Sequence, residues 1–491
     1  MEEENKSVGS LHFSKKTLIF IGAVLAGALF LAGLLTQVIP RGAYDTDAAG
    51  NIINGTYHLL DGQKMPFWRV FTAPIEIFTS GEAAAGIGII AFIVLIGGTF
   101  LVLDKAGVIA CILSVITKRF AAKKYTLLAL VTLLFMALSS VAGILEESVT
   151  IVPLAAATAV ALGWDSLTGL GFSLVAVAMG YSAATFNPFN VGIVQTLAGL
   201  PMFSGLLYRL VVFAVFYGIV LAFLTLYAKK VEKNPRKSLC YASDEELREK
   251  IRSGGVAGIE SLKLRRAAKV FCLCVAGVPA AAVVGLGLQQ ITAIPEGIRS
   301  VLGYLPTLAM AVLFTVGGLR AGRIAGLTAK EVALVFWQGV KTIAPTIPLM
   351  LLVLSVTYII KHGMILDTLL HAAYGLAEGT TAFAALLIIL AVVVVLEFFI
   401  GSGSAKAFLL MPLLLPLADL LGITRQSVAL AFSLGDGICN ILYPTSGIMI
   451  IAIGLINVSY GKFLRWSWKL FLALFATAAL LLWVAVRIGY N

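Results

Sequence analysis

Charge is what this 491-residue chain has least of: Asp, Glu, Lys and Arg make up 12% of it, against 60% hydrophobic residues, and the mean hydropathy is +0.99. Soluble domains carry about 25% charged residues, so a cytosolic or secreted fold is excluded and a polytopic membrane protein is left. Histidine is scarce, and His12, His58, His362 and His371 form no metal cluster. The cysteines, Cys111, Cys240, Cys272, Cys274 and Cys439, show no CxxC spacing, so neither a disulfide framework nor a zinc site is indicated. No GxxxxGK[ST] phosphate loop is present, so the chain hydrolyses no ATP through that motif. The net charge of +11 is concentrated in short loops, as membrane topology asks, and is not the footprint of a nucleic-acid partner.

What is there is a series of apolar runs of about 20 residues, which read as spanning helices and not as barrel strands. Residues 1–83 hold a first span at 17–39, begun from the cytoplasm after Lys15-Lys16, and an extracellular loop. Residues 84–228 hold a span at 84–103, an amphipathic interfacial helix at 106–120, a hairpin at 125–162, an interrupted helix at 166–199 and a span at 205–228. The linker 229–269 carries twelve Lys/Arg against six Asp/Glu and belongs in the cytoplasm. That assignment makes 125–162 re-entrant, because a single crossing there would put the linker outside. Residues 270–340 supply scaffold spans at 270–290 and 302–318. Residues 341–491 repeat the order: a span at 341–361, an amphipathic piece at 363–378, a hairpin at 380–421, an interrupted helix at 425–456 and a last span at 466–488 that ends outside.

The halves align. Pro153 and Gly163 match Pro412 and Gly422 at one offset, and Asn187-Pro188 matches Tyr443-Pro444 at an offset three residues smaller. The first hairpin enters from the cytoplasm and the second from outside. The expected fold is an all-α polytopic membrane protein of about nine transmembrane helices plus two re-entrant hairpins, in two inverted-topology repeats. Secondary transporters are commonly built this way, with the site where broken helices meet.

The interruptions are the candidate site. Half-helix N-termini suit a carboxylate, and unwound carbonyls suit a cation. Ser139, Ser140, Ser148, Asn187, Pro188 and Asn190 line one side, and Ser402, Gly403, Ser404, Asn440, Pro444, Thr445 and Ser446 the other. Thr185, Asn187, Asn440 and Thr445 offer oxygens for Na⁺ as a coupling ion, with H⁺ as the alternative; no other cofactor is expected. For a single Ser or Thr the competing role is a bond to the preceding turn of its own helix. Glu146, Glu147, Glu397, Lys406 and Asp436 are ionisable groups at depth, where each is costly and marks a pathway or a relay by default. The repeat alignment sets Glu147 opposite Lys406, so a purely structural ion pair is the alternative there. Glu397, in a hairpin arm, is the most structural of the group, and Asp436, between two glycines beside a break, the most functional. Four acids against one lysine favour a cationic amino acid over a dicarboxylate.

Leu145-Glu146-Glu147-Ser148, Asn187-Pro188-Phe189-Asn190, Gly401 to Ala407, Gly422 to Ser427, and Gly435-Asp436-Gly437 through Pro444-Thr445-Ser446-Gly447 resemble the YfcC-type branch of the C4-dicarboxylate anaerobic carrier family, within the ion transporter superfamily. Tyr57-His58 and Tyr227-Ala228-Lys229-Lys230 share the likeness, which covers nearly the whole chain. The resemblance implies a homodimer in a prokaryotic cytoplasmic membrane and elevator-type alternating access driven by Na⁺ or H⁺. Similar proteins include arginine–ornithine antiporters, while the family name comes from dicarboxylate carriers. The expected function is therefore secondary active uptake or exchange of a small charged organic solute such as arginine or ornithine, with a C4-dicarboxylate as the rival substrate. A channel would want a continuous polar lining, and a membrane-embedded enzyme would want a nucleophile–His pairing; neither is present in the sequence.

Overall fold

The computed structural model describes residues 15–45, 53, 55–79, 83–143, 145–201, 203–251, 261–289, 305–377 and 379–491. These are almost all helical. The exception is a two-stranded antiparallel ribbon in the loop after the first helix, Gly42–Ala43 with His58–Leu59, in the register Gly42 to Leu59 and Ala43 to His58. Tyr57 fixes this loop to helix Leu366–Ala377, stacking on His371 at 4.0 Å and donating to the Thr368 hydroxyl at 3.0 Å.

Among the described residues, Lys124–Val141, Leu206–Lys233 and Tyr460–Ile488 are long and apolar enough to cross a bilayer by themselves. Helices Lys15–Val38 and Ala83–Lys105 have 24 and 23 residues. The start of the span read at 302–318 lies outside the described residues; its helix is described from Leu305 to Ala325. The single span read at 341–361 is corrected. The chain forms Ala329–Ile343, a tight turn Ala344–Thr346 and Ile347–His362, with a bend of 44°. Pro345 and Pro348 withhold two backbone donors there, so a straight ladder cannot continue. The earlier helix begins on a capping box: the Thr328 hydroxyl takes the Glu331 N–H while the Glu331 carboxylate takes the Thr328 N–H.

Two of the apolar cores matter for the site; a small third one joins Leu101 and Val102 to Val332 and Val335. The smaller of the two lies between Ala83–Lys105, Val108–Phe120, Leu262–Gln289 and Leu305–Ala325, around Leu103, Phe271 and Phe314. The larger one gathers the interrupted helices, the helices before them, Leu206–Lys233 and Tyr460–Ile488. The candidate site lies in this second group.

Candidate substrate site at the two helix breaks

The chain from Ser166 to Leu197 is a helix broken in the middle. It runs to Ser182, loses regular structure over 183–187, and resumes as a wide helical turn Pro188–Gly192 and helix Ile193–Leu197. Pro188 therefore opens the second segment and does not sit at the centre of the break. It also disfavours helical backbone at Asn187. The chain from Arg425 to Leu455 does the same, with helix Arg425–Cys439, a break over 440–446 and helix Gly447–Leu455. Thr424 caps the first segment through the Ser427 N–H, and Ser446 caps the second through the Met449 N–H.

The first break is held by neutral groups. Ser140, at the end of helix Lys124–Ala142, donates to the Ala183 carbonyl at 2.9 Å, and its hydroxyl lies 3.0 Å from that of Thr185. The Thr185 and Phe186 N–H groups both donate to the Ser140 carbonyl, at 3.0 and 3.1 Å. Helix Lys124–Ala142 can end beside this break because Gly143 adopts a left-handed conformation (φ +71°) that a side chain would resist. Asn187 accepts from the Asn190 N–H at 3.2 Å.

Charges gather beside the second break. Helix Ala382–Glu397 ends, the chain turns through 398–402, and helix Gly403–Leu420 starts on the Ser402 cap. Ser402 accepts from the Ala405 N–H and pulls Gly403 to Lys406 into the first helical turn. A lysine there faces the positive end of the helix dipole and needs anionic partners. The Lys406 ammonium has two: it contacts the Glu397 carboxylate and lies 2.7 Å from Asp436 Oδ1. Lys406 and Asp436 are 0% exposed and Glu397 is 4% exposed. The side chains of Glu146, Glu147 and Ser404 lie outside the described residues, so the pairing read between Glu147 and Lys406 does too. Gly403 is needed at its position, since a Cβ there would lie 2.7 Å from Asp436 Oδ2.

The two breaks meet. Asn190 Nδ2 reaches Asp436 Oδ2 at 3.3 Å and the Tyr181 carbonyl at 3.5 Å. Ser182 donates to the Leu434 carbonyl at 3.2 Å, and a Cβ on Gly437 would lie 2.2 Å from Ser182 Cα, so the two interrupted helices cross in backbone contact. Asn190, Lys406 and Asp436 are therefore brought together, and Ser140 and Thr185 form a second group. Ser446 stays within its own break, donating to the Asn440 carbonyl at 2.5 Å. Ser148 bonds the Leu145 carbonyl at 2.6 Å, the local role available to any serine. Among the described residues, the buried hydroxyls of Ser139 and Thr445 have no hydrogen-bond partner. Among the described residues there is no His/Cys/Asp/Glu cluster that could hold a metal ion. The contacts missed in the sequence are Glu397 on Lys406, Ser182 on Leu434 and the Ala183 and Tyr181 carbonyls. Only Glu397, an acid inside an apolar run, left a signal.

The start of the first interrupted helix is also held by charge. Asp165 caps it and accepts from Thr168 (2.9 Å from N–H, 2.7 Å from the hydroxyl), the Tyr227 phenol and the Ser238 hydroxyl (2.6 Å each). Asp244 in the linker takes the Ser166 N–H at 3.0 Å and its hydroxyl at 2.6 Å. Burial pushes the Asp244 carboxyl up to about 6, against the pull of the Ser166 hydrogen bonds.

Residues 18–487 match the sequence profile of the family described as "C4-dicarboxylate anaerobic carrier". The chain is 27% identical to YfcC of Escherichia coli (strain K12), over 94% of this chain and 95% of that one; the name of that protein carries basic amino acid antiport as a provisional assignment. It is 24% identical to an uncharacterized Haemophilus influenzae protein, over 96% and 98% of the two chains. Solved structures that resemble it are the Alcanivorax borkumensis YdaH transporter (18% identity, TM-score 0.45, 96% and 98% of the chains) and Neisseria gonorrhoeae MtrF, from a class of antimetabolite efflux pumps (17%, 0.44, 95% and 94%). An apolar helical chain matched along nearly its whole length by one carrier profile is a multi-pass membrane transporter for a small solute and not an enzyme: it belongs to the C4-dicarboxylate anaerobic carrier family.

Proposed function

We propose that this transporter is a secondary active exchanger of basic amino acids, arginine and ornithine being the expected pair, and that the substrate binds where the two helix breaks meet. The observation that carries this reading is the buried triad of Glu397, Lys406 and Asp436, joined through Asn190 to the other break. Two carboxylates against one ammonium suit a ligand with one more cation than anion at that point. A dicarboxylate would meet like charge in a medium where charge is poorly screened. The provisional assignment of the E. coli relative supports the same class.

The finer architecture belongs to this proposal: about nine spans and two hairpins in inverted repeats, the N-terminus inside and the C-terminus outside, a homodimer, and elevator-like movement of the larger core against the smaller. The division of the chain into 1–83, 84–228, 229–269, 270–340 and 341–491 goes with it. Thr185, Asn187, Asn440 and Thr445 are the proposed set for Na⁺; the unpartnered Thr445 hydroxyl favours it, and the engagement of Thr185 by Ser140 weighs against it.

The test is counterflow in proteoliposomes. Liposomes loaded with ornithine should accumulate labelled arginine, with saturation and without single-channel current. Accumulation of succinate or fumarate, with none of arginine, would hand the site to the dicarboxylate reading.

A further inference from the structure

The triad does not balance its own charge. Glu397 and Asp436 contribute two negative charges and Lys406 one positive, and all three are shielded from solvent. Among the described residues no second cation pairs with either carboxylate. Among the described residues, the other groups that face the cluster are neutral. Asn190 donates an amide proton to Asp436, the Cys439 thiol lies beside Lys406, and the Tyr443 phenol near that thiol gives its proton to the Val394 carbonyl at 3.0 Å. The first turn of helix Gly403–Leu420 approaches Asp436 closely enough that a Cβ on Gly403 would crowd it, but a helix N-terminus supplies only about half a charge. One negative charge is therefore left in excess in a buried place, where an uncompensated charge is strongly unfavourable.

We propose that the empty site resolves this by holding one proton shared between Glu397 and Asp436, and that the side-chain cation of the substrate displaces it. This rests on the reading of the triad as the substrate site. The step is balanced: protonated carrier plus monocation gives the carrier–cation complex plus H⁺, one positive charge entering and one leaving. The two ligands then compete for a single negative charge, so proton and cation occupy the triad in turn. Lys406 sets the count, since without it two carboxylates would call for two cations.

The test counts protons. Purified full-length protein in detergent, weakly buffered near pH 7 with a pH-sensitive dye, is titrated with arginine, and binding is followed separately by thermal shift. The expected result is about one proton released per arginine bound, and none with citrulline, which has the same length without the charge. Asp436→Asn should abolish the release; Glu397→Gln should do the same and serves if the first variant does not fold. The wild-type count decides even if neither does. Arginine binding with no proton released would overturn the inference and leave the basic-amino-acid reading standing. Binding of succinate with none of arginine, lysine or ornithine would overturn both.

Discussion

The two interrupted helices set different chemistry beside the same kind of break. Each leaves backbone groups without a helical partner in the middle of an apolar core. In the first, Ser140 and Thr185 satisfy them with hydroxyls and carbonyls, and the charged groups, Asp165 and Asp244, gather at the start of the helix. In the second, the Ser446 and Tyr460 hydroxyls donate to the Asn440 and Leu442 carbonyls, the start carries the half-exposed Arg425–Asp419 ion pair beside its Thr424 cap, and the fully buried charges sit near the break, on Asp436 and its partner Lys406. A neutral network is close to self-sufficient. A charged one depends on every member, because removing one partner strands the others in low dielectric. On the proposed reading, the contrast separates a half of the site that is stable by itself from a half that responds to an ion.

Breaking the charged half should cost most. Lys406→Met leaves two buried carboxylates facing each other, and a loss of about 3–5 kcal/mol in stability is expected, read as a large drop in melting temperature in detergent. Adding Asp436→Asn to it should restore much of the loss; if the double variant melts no higher than the single one, the triad is not the origin of the effect. Closing the gap between the two helices comes next. Gly437→Ala puts a Cβ 2.2 Å from Ser182 Cα, and the clash is with backbone, so about 1–3 kcal/mol and most of the transport should be lost. Wild-type uptake by that variant would argue against the close crossing.

The neutral half should tolerate more. Ser140→Ala removes one hydroxyl, while the Ser140 carbonyl still takes the Thr185 and Phe186 N–H groups, so a loss of about 1–2 kcal/mol is expected, well below that of Lys406→Met. Equal losses at the two positions would erase the comparison. The smallest effect concerns Asp244. Its carboxyl, ordinarily near 3.8, is raised to about 6 in the folded chain, so the folded state binds the extra proton between those values. Stability from this group is therefore present below about pH 4, falls as pH rises towards 6, and is flat above. Limited proteolysis of the linker should become faster across that window in the wild type and lose that dependence in Asp244→Asn. An unchanged pH profile would remove Asp244 as its source.

Much of the helical architecture is legible one segment at a time. Apolar run length marks the helices Leu206–Lys233 and Tyr460–Ile488, and Thr424, Ser446 and Thr328 announce helix starts by the hydroxyls that their orphan N–H groups require. The helix Ala329–Ile343 was not legible as a separate element, because its apolar face merges with the run that follows Pro345. Of the site, the ionisable residues were legible as costly at depth, but their partners were not. The Lys406 ammonium meets an acid nine residues before it and another thirty residues after it, spacings that no local pattern announces. The linker carboxylate Asp244 looked like one charge among many, and nothing in its neighbourhood marks its bond to Ser166.

The amino-acid order alone determined that this chain is a helical membrane protein with polar interruptions, because run length, missing proline donors and capping hydroxyls act within a few residues of where they are written. Tertiary structure alone decided which charges face each other and how many are left over. Glu397, Lys406 and Asp436 stand on three separate helices, and the electrostatic interaction that couples them falls off with distance through space and takes no account of distance along the chain.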